Sequence, residues 1–386
     1  MGLKIKEMEH NCMDFLIITE DYPNKNNKYA NSYVHSRCIE YKKSQLNFKV
    51  LSFRAQTPYI YEGIDIISED EFQKKYKNKK INLVISHAPN IRNHLKFLMI
   101  YRKNIKKMLF FLHGHEVLKI NKYYPKPYDF TKDKSIIKNL TQNFYDSFKL
   151  KVLKTFFLNN LKKNKVKFVF VSKWMKIQFL KNVQLDPYLI DRNSYIIFNN
   201  ANAVFEKKTY LKKKKTKADV VTIRPLDKSK YGVDLVCKIA ENNPDIKFHI
   251  YGRGQYFSFH KQPKNVEVFQ KFFTHEELAE ELNYYKLALM PTRLDAQGVM
   301  VCEMTTYGIP VLTSDLPICK EMTNEFSNVF YFNNLLVDKV KISNVINQIN
   351  LERPINKEKF SINNTVKKEI KLILMLIDNK DINKGI

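Results

Sequence analysis

Residues 287–315 read LALMPTRLDAQGVMVCEMTTYGIPVLTSD, and this stretch decides the fold. Residues 287–290 form a short apolar run stopped by Pro291, the pattern of a buried parallel strand. Residues 292–297 form a polar turn. Residues 298–307 have helix length, and Gly308 stands where a helix C-terminal glycine belongs. Residues 309–313 are a second buried strand. Strand, turn, helix and strand in this order make one unit of a parallel α/β sheet. In such sheets the turn lies at the carboxyl end of the strand, where ligands bind.

Two acidic residues sit in this unit, Asp295 in the turn and Glu303 eight positions later on the helix. The free amides of Gly298, Val299 and Met300 face the turn, beside Gln297, and a helix start of this kind attracts phosphate. Gly298 carries no side chain, so a ligand can approach the backbone there. Glu303 interrupts the run Val-Met-Val-Cys-Glu-Met. A carboxylate there is costly to bury unless partners satisfy it, and sugar hydroxyls are suitable partners. The alternative is that Glu303 lies on the solvated face of the helix.

The chain has 386 residues, long for one core and natural for two domains. Its formal charge is +27, from 66 Lys+Arg against 39 Asp+Glu. That excess favours a polyanionic partner, whether nucleic acid, an anionic membrane surface or a phosphorylated substrate. The five cysteines are scattered, without metal spacing, which points to a reducing compartment. No apolar run reaches the ~18 residues of a membrane span. The first twelve residues have no apolar core of a signal peptide and read as an unstructured leader. The expected location is cytoplasmic, with peripheral attachment to the inner face of the cytoplasmic membrane as a further expectation.

In the first half, residues 15–19 are a buried strand, 20–28 a polar turn and 29–41 a helix. Further strands follow at 48–53, 65–67, 82–86 and 107–112, with a helix over 91–102. The strand at 107–112 runs into His113-Gly114-His115-Glu116. A histidine just past a parallel strand and before a glycine points into the ligand crevice, where its imidazole can donate a hydrogen bond. Glu116 either ties down this loop or meets an acceptor. Residues 121–158 mix aromatics with lysines. They form either a surface segment for an anionic bilayer or a helix packing its aromatic face on the core. Residues 167–172 are a strand whose Ser172 can cap the next helix. Residues 195–198 are the last strand of this half, and the lysine-rich run 207–217 is a solvated linker.

The second half restarts the pattern with a strand at 220–223. Arg224, Lys228 and Lys230 stand at its end, before a helix over 232–241. Cations at a strand end beside a helix start suit a diphosphate; surface charge in a basic chain is the other reading. A strand over 247–251 leads into Gly252-Arg253-Gly254, a weak phosphate signal. A strand over 266–269, a helix over 276–284 capped by Thr274, and a terminal amphipathic helix over 366–377 complete the pattern.

The segment 291–315, with Glu321 beyond it, resembles the Glu-x7-Glu signature of retaining, nucleotide-sugar-dependent glycosyltransferases of family 4, which have the GT-B fold. Asp295 stands where Glu is common. FFLHGHEV resembles that family's H-G-x-[DE] turn, and residues 199–202 its Asn-Gly-hydrophobic-Asp turn. Arg224 with Lys230 and Gly232 resembles its diphosphate site, and Gly252 its glycine turn near the nucleotide. The resemblance implies an α/β fold of two Rossmann-like, doubly wound domains with an interdomain cleft. The expected division is 1–205 on the acceptor side, 206–364 for the nucleotide sugar, and 365–386 as a helix crossing back. It implies transfer from a UDP- or GDP-sugar to an acceptor hydroxyl with retention, in bacterial cell-surface polysaccharide or glycolipid synthesis. His113, Asp295, Arg224 and Lys230 would be catalytic. Glu303, Gly298, Val299, Met300, Gly252 and Gln297 would hold the donor. No cofactor and no metal are required. The partners are the donor, a sugar or lipid-linked acceptor and an anionic membrane surface, and not nucleic acid. The competing class is a non-catalytic basic protein that binds nucleic acid or membrane on the same fold.

Overall fold

The computed structural model describes residues 13–27, 30–131 and 136–378. The leader expected over 1–12, the start of the first helix at Tyr29 and the last eight residues lie outside the described residues. Two sheets organise the chain. The first contains β1 Phe15–Thr19, β2 Phe48–Ser52, β3 Tyr59–Tyr61, β4 Ile64–Ile67, β5 Ile81–His87, β6 Ile105–Leu112, β7 Val166–Phe170 and β8 Ser194–Ile196. Its order is β3-β4-β2-β1-β5-β6-β7-β8, parallel throughout except where β3 pairs with β4. The second contains β9 Val220–Ile223, β10 Phe248–Tyr251, β11 Val266–Phe269, β12 Leu287–Met290, β13 Val311–Ser314 and β14 Val329–Phe332. Its order is β11-β10-β9-β12-β13-β14, all parallel. The fold is thus α/β with two Rossmann-like domains.

Strand order explains where the site forms. Each sheet reverses direction once, between β1 and β5 and between β9 and β12. Connections leave these pairs toward opposite sides, which opens a crevice at their carboxyl ends. The residues there are Glu20 and His87 in the first sheet, and Arg224 and the turn before Gly298 in the second. Sequence chemistry explains the burial. Every residue of Phe15–Thr19 and of Leu287–Met290 is buried, as strands covered by helices on both faces require. Leu16 and Ile18 pack with Phe110 and Phe168 on one face, Phe15 and Ile17 with Leu83 and Phe111 on the other. That is the two-residue alternation of a strand.

Two local details depart from the sequence expectation. The helix expected over 91–102 opens with a π-helical turn, Ile91–Leu95, before Lys96–Ile100. The Asn90 side chain accepts from Asn93 N at 2.7 Å, and both amides hold the Glu20 carboxylate. Strand β3 was not expected. It reaches β4 through Glu62 and Gly63, both at positive φ, a hairpin turn for which glutamate is an unusual first residue.

The terminal helix Val366–Ile377 packs Val366, Leu372, Ile373 and Leu376 against the first domain, beside Ile17 and Ile85. In its first turn Glu369 is fully buried and meets Arg37, which is 1% exposed. Arg37 Nε donates to both Glu369 oxygens at 2.9 and 3.1 Å, and Tyr41 Oη donates to one at 2.7 Å. The guanidinium also donates to Tyr33 O and to Asn199 Oδ1, so its charge is well matched. Removing one partner of such a pair strands the other charge. Glu369→Ala should destabilise the protein by about 3–5 kcal/mol, and an apolar double replacement, Arg37→Met with Glu369→Leu, by less. Urea denaturation of the two variants tests this; a double variant no more stable than the single one would contradict it.

Candidate active site

The first domain contributes the loop after β6. Glu116 is buried, and its two oxygens accept from the backbone N–H groups of His113 and Gly114. It therefore ties down the loop, one of the two roles open to it from sequence. The His113 ring lies 4.4 Å from that of Tyr33, and its Nε2 is 3.4 Å from His87 Nδ1. Burial, with the charge of Arg37 and His115 nearby, holds its pKa well below the usual imidazole value. His113 is neutral at physiological pH and can donate one hydrogen bond.

The second domain contributes cations at the end of β9. Arg224 is buried; one terminal nitrogen lies 3.4 Å from Met290 O and its Nε has no partner. Tyr231 gathers the charges: its ring centroid is 5.3 Å from the Arg224 guanidinium and 4.6 Å from Lys230 Nζ. Arg293, which sequence reasoning passed over, fixes the Lys230 turn. Its N–H donates to Lys230 O at 2.7 Å, and its guanidinium pairs with Asp234 at 2.9 and 2.6 Å. Asp295 Oδ1 accepts from Ala296 N at 2.8 Å, closing its own turn, and its charge acts on Arg224. Gly298 then starts the helix Val299–Tyr307 at φ 73°, a left-handed conformation that favours glycine. Val299 and Met300 occupy the first helical positions, with their amides toward the turn.

Glu303 is not on a solvated face: it is 5% exposed. Its Oε1 accepts from Asn202 N at 3.2 Å and lies 3.7 Å from His275 Nε2. Burial pushes its pKa up to about 7.

The two domains meet at this turn. Ser172 Oγ donates to Ala296 O at 2.7 Å while accepting from Met175 N, so it is both a helix cap and a cleft contact. A Cβ on Gly114 would lie 3.6 Å from Ala296 Cβ, which puts the His113 loop against the Asp295 turn. Glu321 reaches across to cap the helix Lys173–Val183, accepting from Lys173 N and Trp174 N at 2.6 and 2.8 Å. From the first domain, Tyr128 Oη donates to Asp234 at 2.8 Å, and Phe130 stacks on Phe259 at 4.8 Å.

Two residues expected to hold donor also have structural roles. Gln297 gives its side chain to the turn after β8: Oε1 accepts from Asn199 N at 2.6 Å and Nε2 donates to Asn199 O at 2.8 Å. Its amide is an interdomain joint. At Gly252 a Cβ would lie 1.8 Å from Arg224 O, so glycine is required there by the neighbouring chain. Sequence motifs cannot show this, because both constraints come from residues distant in the chain.

Residues 204–364 match the family model described as glycosyl transferases group 1. The second domain is similar to that family. The whole chain is similar in fold to sucrose-phosphate synthase from Thermosynechococcus elongatus, at 10% identity and a TM-score of 0.68, over 96% of this chain and 100% of that one. It is also similar to WaaG, a glycosyltransferase involved in lipopolysaccharide biosynthesis, at 12% identity and a TM-score of 0.55, over 95% and 98%. Against TarM, at 16% identity and a TM-score of 0.47, 77% of this chain aligns and spans 54% of that protein's length. No curated protein matches the sequence. The fold is the two-domain GT-B arrangement.

The raised pKa of Glu303 has a measurable sign. Its folded value of about 7 lies above the ordinary 4.5, so the folded state holds the proton more tightly. Stability from this group is full below about pH 4.5 and is lost as pH rises through about 7, by on the order of 3 kcal/mol. Glu303→Gln should flatten that loss. Denaturant midpoints across this range check it, and parallel curves for the two proteins would count against it.

Proposed function

We propose that this chain is a retaining glycosyltransferase that moves a sugar from a UDP- or GDP-sugar to an acceptor hydroxyl. The observation that supports it most is that three features lie where the two domains touch. These are a buried arginine with an unpartnered Nε, a helix start with free amides, and the anchored His113 loop. Departure of a nucleoside diphosphate develops negative charge. Arg224, Lys230 and the amides of Gly298, Val299 and Met300 would stabilise it where it forms. Glu303 would accept from the ribose hydroxyls. Asp295 and neutral His113 would orient the sugar. No protein nucleophile is assigned; the acceptor attacks on the face the diphosphate leaves, and the leaving phosphate takes the acceptor's proton. No metal or other cofactor is invoked. The proposed setting is cell-surface polysaccharide or glycolipid synthesis, in keeping with the lipopolysaccharide role of WaaG.

Incubation with a panel of nucleoside diphosphate sugars should release UDP or GDP. Arg224→Ala and Glu303→Ala, with unchanged circular dichroism, should each lower kcat/KM on the order of 100-fold. Salt-sensitive RNA binding with no donor turnover would instead favour the basic binding protein.

The acceptor side would lie against an anionic membrane surface, from the cytoplasmic side. Among the described residues no helix is long and apolar enough to cross a membrane. The helix Ile136–Leu161 buries Leu150, Leu153 and Phe157, which is the core-packing reading of this segment. It also leaves Phe144 76% and Phe148 52% exposed, on a strongly basic chain. Exposed aromatics with lysines suit an anionic interface. Sedimentation with phosphatidylglycerol vesicles should show binding that falls with salt and is weakened by Phe144→Ser with Phe148→Ser. Unchanged binding in that variant would move the contact elsewhere.

A further inference from the structure

We infer that His87 is a positioning residue: it donates from Nδ1 to His113 Nε2 and so fixes His113 as the tautomer carrying its proton on Nδ1, the nitrogen not in contact with His87. The inference rests on the transferase reading for its use, but not for its geometry.

His87 is the last residue of β5, at the strand reversal of the first sheet. It is 1% exposed, and its ring stacks on Phe111 at 4.4 Å and 28°. Ala88 follows at φ 49°, a left-handed conformation in a residue other than glycine, and its N–H donates to Phe111 O at 3.0 Å. Backbone strain of this kind, held by its surroundings, aims the end of the strand. The only described polar partner of the His87 ring is His113, through the 3.4 Å contact of Nδ1 with Nε2. Its own Nε2 is buried without a partner.

Two neutral imidazoles in contact share one proton, and there are two ways to place it. If His113 donates from Nε2, His87 must carry its proton on Nε2, which leaves a buried N–H without an acceptor. His113 Nδ1 is then a bare lone pair. If His87 donates from Nδ1, the orphan on its far side is only a lone pair, and His113 presents Nδ1–H. A buried unpaired N–H is rare in folded proteins, and leaving a donor unmade carries the full desolvation cost. The second arrangement is therefore the favoured one. A doubly protonated pair is opposed by Arg37, whose guanidinium lies 5.4 Å from the Phe111 ring on which His87 stacks. Burial and the Arg37 charge likewise depress the pKa of both rings.

The consequence is chemical. A donor at His113 Nδ1 can hydrogen-bond a sugar oxygen; the other tautomer could only accept. The Glu116 clamp fixes the His113 backbone, Tyr33 packs on its ring, and His87 selects which nitrogen holds the proton.

The test begins with the unaltered protein labelled with ¹⁵N-histidine. Long-range ¹H–¹⁵N correlation, with assignment by His113→Gln, should show His113 protonated on Nδ1 at pH 7.5. His87→Phe keeps a ring against Phe111 but removes the donor. It should remove the bond that selects the tautomer, so that His113 is no longer held as the Nδ1-protonated form alone, and lower kcat about 5- to 10-fold, with donor KM within about twofold. His87→Asn, whose amide can donate near the position of Nδ1, should recover most of kcat and the Nδ1 tautomer. His113 protonated on Nε2 in the unaltered protein overturns the inference, whether or not the variants fold. So does a His87→Phe enzyme with full kcat, or an Asn variant as impaired as the Phe variant. If no nucleotide sugar is turned over, the transferase reading fails, while the spectrum still decides the tautomer.

Discussion

A single buried guanidinium holds this molecule in its observed arrangement. Arg37, on the helix Ser32–Lys43, joins the terminal helix through Glu369 and the turn after β8 through Asn199. Asn199 in turn is gripped on both backbone groups by Gln297, the residue just before the helix start of the second domain. The amide-lined turn, the turn after β8 and the crossing helix are therefore one connected polar network inside an apolar seam. Low local dielectric makes such a network strong when complete and costly when any member is missing. That asymmetry gives the two lobes a defined relation, which two separate hydrophobic cores alone would not enforce.

The same logic organises the gap. The charges at this junction are anchored by their neighbours. Tyr231 holds Arg224 and Lys230 near one ring, Arg293 and Asp234 fix the Lys230 turn, and Glu116 fixes the His113 loop. Donors held this way need little reorganisation when negative charge develops, which is the physical basis of electrostatic catalysis. Glu321 and Ser172 bind the domains directly beside the site, so any opening must break these contacts as a set.

Much of the fold was legible because its signals are local. The runs at 287–290 and 220–223, the capping box at Thr274 and the glycine after Tyr307 each express a backbone requirement within a few residues. The terminal helix was legible from its apolar periodicity, and Glu303 was conspicuous as a charge inside an apolar run. The π-helical turn at Ile91 and the hairpin at Glu62-Gly63 were not, because each uses residues that have no strong preference for the geometry they adopt.

By itself the sequence determined the alternation of strands and helices, the two-domain plan and the turns at the carboxyl ends of the strands. These follow from hydrophobic period and turn chemistry, which act over short stretches of chain. Only the tertiary structure decided which of these residues are buried and what they meet. Arg37 meets Glu369 across 332 positions, Gln297 meets Asn199 across 98, and Glu321 caps a helix of the other domain. Burial of a charge or an amide is set by what packs over it, and those neighbours are brought together only when both sheets have formed.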